Sequence, residues 1–456
     1  MSKRKQQKRK AINFDVLEQI NLSAAGIDIG AEEIYVCVPA GRDEERLRVF
    51  PTFTADLHGL AKWLVACGVE TVAMESTSIY WIPLYDILEG CGIEVCLVNA
   101  RHLKNVAGRK TDVADSEWLY QLHTYGLLRA SFQPPDDIRA LRSLARHRDM
   151  LVSYRAAHIQ HMQKALELMN VKLTYVLSDI TGVTGMTIIR AILQGEHEPE
   201  VLAQYRDTKC KRSQEEIAKA LTGNYRREHL FALQQAVELY DMYGQQIVAL
   251  DAQLEAMYAQ MQPPDEDIST TPPTPRRAKR RKNQANFDLA TSLYQMAGVD
   301  LTRIDGIDAL TAQSVLTEVG LDMSQWRTEK HFTSWLGLCP NNQITGGKVK
   351  RRRTNKTDNR AATALRLAAQ SLARSQSALG AFYRRIKARH GAPKAIVATA
   401  HKLARLIYHL LKNRVDYVDP GADHYNEQQR ERAIKRLQKQ ATRFGFRLES
   451  LATPLG

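Results

Sequence analysis

Residues 24–124 switch between two periodicities in an order that few folds accommodate. Ala24-Ala25-Gly26-Ile27-Asp28-Ile29-Gly30 and Glu33-Ile34-Tyr35-Val36-Cys37-Val38 read as two strands joined by a turn, with Arg46-Leu47-Arg48-Val49-Phe50 as a third. Leu57, Leu60, Ala61 and Leu64 fall at helical spacing and predict a helix over 55–66. Glu70 to Glu75 reads as a short buried strand, Ile79 to Leu88 as a helix with Pro83 in its first turn, and Gly92 to Asn99 as another strand. A last helix starts in Lys110-Thr111-Asp112-Val113-Ala114-Asp115, where Thr111 or Asp112 can cap the free N–H groups of the first turn.

Three strands, helix, strand, helix, strand, helix is the order expected of an α/β ribonuclease H-like domain. Asp28 alternates with Ile27 and Ile29, so it points to the other face of its strand. Glu75 ends the fourth strand, and Asp112 and Asp115 stand three apart on one helix face. In such a fold these positions converge at one edge of the sheet. Each has a plainer reading: the helix dipole accounts for an acidic first turn, and Asp and Glu are common at turns and caps. The ordered set in a basic chain favours a metal site. Four carboxylates there suit two Mg²⁺ ions roughly 3.5–4 Å apart, arranged for in-line phosphoryl transfer.

The basic balance supplies the context. The net charge is +14 and the sequence pI about 9.4, which points to an anionic partner, nucleic acid first. No basic amphipathic helix with an aromatic face argues for a membrane surface. No apolar run is long enough to span a bilayer, and no apolar stretch follows the basic N-terminus, so a cytoplasmic, nucleoid-associated protein is expected. Cys37, Cys67, Cys91, Cys96, Cys210 and Cys339 form no CxxC and no zinc-like spacing, and read as reduced structural thiols.

Downstream, Arg139 to Asn170 and His229 to Gln260 are long helical patterns with an apolar side. They suit a helical hairpin or an intermolecular coiled coil, and dimerisation is put ahead because no sheet is at hand to bury them. Residues 171–228 take no assigned role. Pro263 to Asn286 combines prolines with clustered charge and reads as a linker. Ile304-Asp305-Gly306-Ile307 resembles the turn of a helix-hairpin-helix, which offers backbone N–H groups to a phosphate, against the plainer reading of an ordinary helical turn. Then Ile344-Thr345-Gly346-Gly347 places a hydroxyl on a glycine-flanked turn beside Lys348, Lys350, Arg351, Arg352 and Arg353.

Taken together, these residues resemble the DEDD transposases of insertion sequences, which pair a RuvC-like domain with a serine-bearing transposase domain. The likeness rests on Gly26-Ile27-Asp28, Glu75-Ser76-Thr77 with Tyr80, Lys110-Thr111-Asp112 with Asp115, the turn at Gly306, Trp335-Leu336-Gly337-Leu338-Cys339-Pro340, and Lys356 with Arg360. It implies a DNA recombinase with Asp28, Glu75, Asp112 and Asp115 as the Mg²⁺-binding catalytic carboxylates. It implies a nucleophilic hydroxyl at Thr345, where the family carries serine; Ser334 and Thr354 are the fallback hydroxyls. Lys110, Gly306, Lys348, Lys350, Arg351, Arg352, Arg353, Lys356 and Arg360 are the expected nucleic-acid contacts. Double-stranded DNA, a homodimer or homotetramer, and an element-encoded bridge RNA as guide are the implied partners.

The implied plan is a basic flexible arm over 1–20, a RuvC-like ribonuclease H-fold domain over 21–135 and a helical, coiled-coil dimerisation region over 136–262. A disordered linker over 263–287, a mainly α transposase domain over 288–418 with the helix-hairpin-helix-like motif, and a basic tail over 419–456 complete it. Two rivals remain: a Holliday-junction-type nuclease that uses activated water, and a nucleic-acid-binding protein whose chemistry has decayed.

Overall fold

The computed structural model describes residues 14–76, 78–99, 112–261, 282–346, 348–354 and 357–449. Lys110, Thr111 and Lys356, most of the expected arm and most of the expected linker lie outside the described residues. The chain divides into two compact units, Met1–Gln133 and Pro134–Gly456.

The first unit is a mixed α/β sheet domain consistent with a ribonuclease H-like fold. Strands β1 (Ala24–Ile29), β2 (Glu33–Cys37) and β3 (Leu47–Pro51) form an antiparallel meander. Helix α1 (Thr54–Ala66) leads to β4 (Thr71–Glu75), and α2 (Trp81–Gly90) to β5 (Glu94–Val98). β4 pairs parallel with both β1 and β5, giving the strand order β3-β2-β1-β4-β5. Helix α3 (Asp112–Thr124) follows.

Strand alternation sorts the two faces of this sheet. Ile27, Ile29, Val72 and Met74 point to the side covered by α1 and α2, where they meet Leu57, Leu60, Leu84 and Leu88. Ala73 and Val98 point the other way, to Leu119 and Leu122 of α3. Residues 14–20, the end of the expected arm, also belong here. Phe14 stacks on Tyr125 with centroids 5.0 Å apart, and Ile20 N–H donates to the Thr124 carbonyl at 2.8 Å.

The second unit is mostly helical. Helices α4 (Asp136–Leu168) and α9 (Arg227–Gln260) run antiparallel and bury each other within the chain, with Leu151 against Ile247 and Leu250. The hairpin alternative is therefore the arrangement seen, and the cover that the expectation of dimerisation found lacking comes from within the chain. Residues 171–228 supply the rest of the cover. Helices α5 (Leu173–Val176), α6 (Val183–Leu193), α7 (Pro199–Ala203) and α8 (Gln214–Leu221) close a core of Met162, Leu166, Ile188, Ile189, Leu202, Ile217 and Leu233. A buried ion pair ties the other end: Arg148 Nε donates to Asp251 at 2.5 Å, and the Asn286 N–H donates to the same carboxylate at 3.0 Å.

Helices α10 (Leu289–Ala297), α11 (Ala309–Val319) and α12 (Glu329–Trp335) precede a two-stranded hairpin of β6 (Pro340–Thr345) and β7 (Lys348–Thr354). Helices α13 (Arg360–Ser371), α14 (Ala378–His390), α15 (Ala392–Asn413) and α16 (Gly421–Arg443) end the unit. α15 is its hub: Ala400, Leu403, Ala404 and Ile407 recur at helical spacing and are fully buried. The β6–β7 hairpin is an addition to the mainly α expectation. Among the described residues no helix is long and apolar enough to cross a membrane.

Candidate active site and nucleic-acid contacts

The acidic edge is built by strand parity and one close helix contact. Gly26 and Asp28 share a face of β1, and that face carries α3. A Cβ added to Gly26 would lie 2.2 Å from the Ser116 carbonyl oxygen and 2.2 Å from the Tyr120 nitrogen, so only glycine lets the helix backbone settle on the strand. The direction of α3 is fixed at its far end. Thr71 Oγ1, at the start of β4, lies 2.9 Å from His123 Nε2, and Asn21 Nδ2, just before β1, donates to the His123 carbonyl at 2.7 Å. The helix C-terminus therefore sits over the beginnings of β1 and β4, and its N-terminus over their ends.

Those ends carry the carboxylates. β1 and β4 run in register through the Ile27–Met74 pair, so Asp28 and Glu75 follow side by side, both on the α3 face. Glu75 faces Val98 of β5, and Ser76 locks the two strand ends by donating Oγ–H to the Val98 carbonyl at 3.1 Å. Asp115 lies in the first turn of α3, next to Ser116, and Asp112 is that helix's first residue. The structure thus brings Asp28, Glu75 and Asp115 to one sheet edge, each half-buried. The side chain of Asp112 lies outside what is described. Among the described residues no three His, Cys, Asp or Glu side chains are close enough to hold a metal ion. In chemistry the donor set fits a hard divalent cation, being carboxylate oxygen throughout.

The brace behind this edge was missed by the sequence reading. Burial pushes the His123 imidazole down to about 4, so it is neutral at ordinary pH. Its signal was a polar residue on the apolar side of a helix, with a threonine opening the strand it packs on. The cysteines are all free. Burial raises the Cys96 thiol to about 11, away from thiolate chemistry, whereas Cys91 is exposed.

In the second unit Thr345 ends β6 and pairs with Lys348 across residues 346 and 347. It is exposed, as are Lys348 and Lys350. Gly346 has φ 57° and nothing within 4 Å of an added Cβ, so it supplies backbone freedom at the turn and no packing. Arg351, Arg352 and Arg353 lie on β7, their side chains outside the described set. Ser334 is exposed on α12 and Thr354 half-buried at the end of β7. Arg360 opens α13 and pairs with Asp149 of α4 at 3.4 Å.

Gly306 has a packing reason of its own. Its φ is 88°, and an added Cβ would lie 2.7 Å from the Ala368 carbonyl oxygen. The turn is seated on α13, with Asp305 accepting from Ser375 Oγ at 2.6 Å and Asp308 capping α11.

A model for DEDD transposases of the IS110 type, described as Transposase, matches residues 25–171. A second, described as Transposase IS116/IS110/IS902 family, matches residues 298–384. The first stretch contains the acidic edge and the second contains Gly306, the β6–β7 hairpin and Arg360. No curated protein matches the chain.

Proposed function

We propose, from the premise that this chain belongs to the IS116/IS110/IS902 family of DEDD transposases and is a DNA transposase, that its acidic edge and its Thr345 hydroxyl share one strand-transfer reaction. Asp28, Glu75, Asp112 and Asp115 would hold the divalent cations, with Mg²⁺ favoured by the all-oxygen donors. Bound there, such ions neutralise charge on a DNA phosphate and on the oxygen that leaves it. Thr345 Oγ attacks that phosphorus. A bond from phosphorus to Oγ forms as one bridging P–O bond breaks; Thr345 loses its hydroxyl proton to solvent and the leaving oxygen gains one. The protein–DNA ester then passes its strand to a new partner. Threonine can serve as this nucleophile, although its methyl group crowds the attack.

One observation carries the reading. α3 is pressed onto Gly26 and aligned by Thr71 and His123, which supports a shared site between the first turn of α3 and the C-terminal ends of β1 and β4, where Asp28 and Glu75 stand. The family premise supports a homodimer or homotetramer in which the carboxylates of one protomer serve the hydroxyl of another. It also supports a structured non-coding RNA as the guide to target and donor DNA. The turn at Gly306 and the basic residues Lys348 to Arg353 would contact phosphates.

Two variants test this. Asp28→Asn should keep its melting temperature and lose nicking of the element's end DNA by about a thousandfold, the scale of losing one fixed charge-stabilising group. Thr345→Ala should bind the same DNA and form no covalent protein–DNA adduct on a denaturing gel. Cutting by Thr345→Ala at the wild-type rate would mean that water attacks. That outcome favours the second reading, a metal-dependent junction nuclease, which threonine in place of serine already recommends. No nick from the unaltered protein would leave a nucleic-acid-binding role.

A further inference from the structure

After Glu75 the chain crosses from the acidic face of the sheet to the opposite one, because α2 buries Leu84 and Leu88 in the core on the far side. The crossing passes over the C-terminal strand ends, the side of an open α/β sheet on which ligands bind. It leaves three large apolar side chains in solvent: Ile79 is 68% exposed, Tyr80 48% and Ile82 42%. Scattered apolar residues on a surface are ordinary. Three within four positions, on the rim of a reactive edge, are a patch. Ser78, directly before them, has φ 54°, a left-handed conformation that costs a non-glycine residue free energy. That turn comes immediately before the exposed Ile79 and Tyr80.

The patch is also uncharged. Residues 76–85 contain no Asp, Glu, Lys or Arg, in a chain with net charge +14. A surface of this kind has no cation to offer a phosphate and a good deal of apolar area to offer a base. Aromatic rings stack on the π-face of any base, and branched aliphatic side chains wedge between bases that have parted. Tyr80 is five positions from Glu75, so at most about 17 Å of chain separates the shelf from the carboxylates, the span of a few nucleotides.

We infer that Ile79, Tyr80 and Ile82 form an apolar shelf for an unstacked base of the DNA strand whose phosphate lies at Asp28 and Glu75. The inference rests on the reading of that edge as a phosphate site. Its test reads binding with Ca²⁺ in place of Mg²⁺, so that a cation can bridge phosphate and carboxylates and cutting is not the readout. The two fail separately, because Asp28→Asn tests the edge by nicking and binding of base against abasic strand tests the shelf.

The probes are a fluorescein-labelled twenty-nucleotide dT strand, its abasic counterpart of equal length, and the same dT strand carrying 5-iodouracil, each with the full-length protein. Long-wavelength irradiation of the iodouracil strand should crosslink Tyr80, mapped by peptide mass spectrometry. Ile79→Ser with Tyr80→Ala should weaken dT binding about tenfold, within the range expected on removing one base-stacking platform. Abasic binding should be unchanged, and Tyr80→Phe should restore the dT affinity. Crosslinks that map only elsewhere, or equal losses on both strands, overturn the inference. So does a change in sedimentation mass with base preference intact, which would make the patch a contact between copies of the chain.

Discussion

At the acidic edge, Asp28 belongs to a strand with a helix clamped across it: a Cβ two residues away would meet the backbone of Ser116 and Tyr120 at 2.2 Å. At the β6–β7 hairpin, Thr345 stands beside a turn where a Cβ on Gly346 would meet nothing within 4 Å. The edge is held by a five-stranded sheet, a close backbone contact, a side-chain bond at the C-terminal end of α3 and another between the ends of β4 and β5. The hairpin is a two-stranded ribbon whose described residues are largely exposed, and such ribbons are marginal in water on their own. The proposed roles fit this difference. Carboxylates that share a cation must keep fixed mutual distances, so they belong on packed elements. A hydroxyl that must reach a phosphate and later release it can sit on an element that takes its order from the nucleic acid.

The comparison breaks most readily at its glycines. Gly26→Val should cost the N-terminal unit about 3 kcal/mol or more, because the clash is with backbone, which cannot rotate away. Gly346→Ala should cost about 1 kcal/mol, for the left-handed turn alone. Hydrogen exchange of β1 and α3 in the first variant, and of the β6–β7 hairpin in the second, reads each locally. Wild-type protection of α3 in Gly26→Val would mean that the helix is not held by this contact.

A second difference between the two regions is their response to pH. Folding holds the His123 imidazole near 4 by burial, while the unfolded chain titrates it near 6.5. Between those values the unfolded state binds the extra proton. Stability is therefore intact above about pH 6.5 and falls as pH drops, by about 3 kcal/mol on reaching pH 4. His123→Gln should flatten that part of the pH dependence of melting for the N-terminal unit, whereas nothing comparable is built into the hairpin. An unchanged pH dependence in the variant would remove His123 from the brace.

The two regions were also unequally legible in the amino-acid order. Asp28 and Glu75 could be placed because alternation with Ile27, Ile29 and Met74 fixes a strand's faces, and the order of elements fixes which strand ends meet. The hairpin could not, because Lys348 to Arg353 carries hardly any of the apolar alternation that marks a strand; only the Gly346-Gly347 turn was visible. Pairing over distance stayed hidden for the same reason throughout. The stripes of 136–168 and 227–260 report that a face is buried and are silent on what buries it. Arg148 and Asp251 are 103 positions apart, and nothing local to either announces a buried ion pair. Gly306 was read as a phosphate-facing turn, while the carbonyl of Ala368 that also requires glycine there lies on another helix.

The smallest effect sharpens the hairpin's side of the comparison. Lys348 and Lys350 are exposed, and neither is engaged in an ion pair among the described residues. Among the described residues no carboxylate pairs with either, so Lys348→Gln with Lys350→Gln should leave melting unchanged. If both lie along a DNA backbone, the plot of log affinity against log salt should flatten by about 0.9 for each phosphate that is no longer neutralised. Affinity at low salt should fall about tenfold, alike for unrelated DNA sequences, because binding to phosphates carries no base information. Fluorescence anisotropy across a salt series measures both quantities. An unchanged slope would show that the ribbon does not follow the phosphates. A weakening confined to one DNA sequence would move these lysines from the backbone to the base edges. Either result would leave the acidic edge untouched, since its support comes from Gly26, Thr71 and His123 in the other unit.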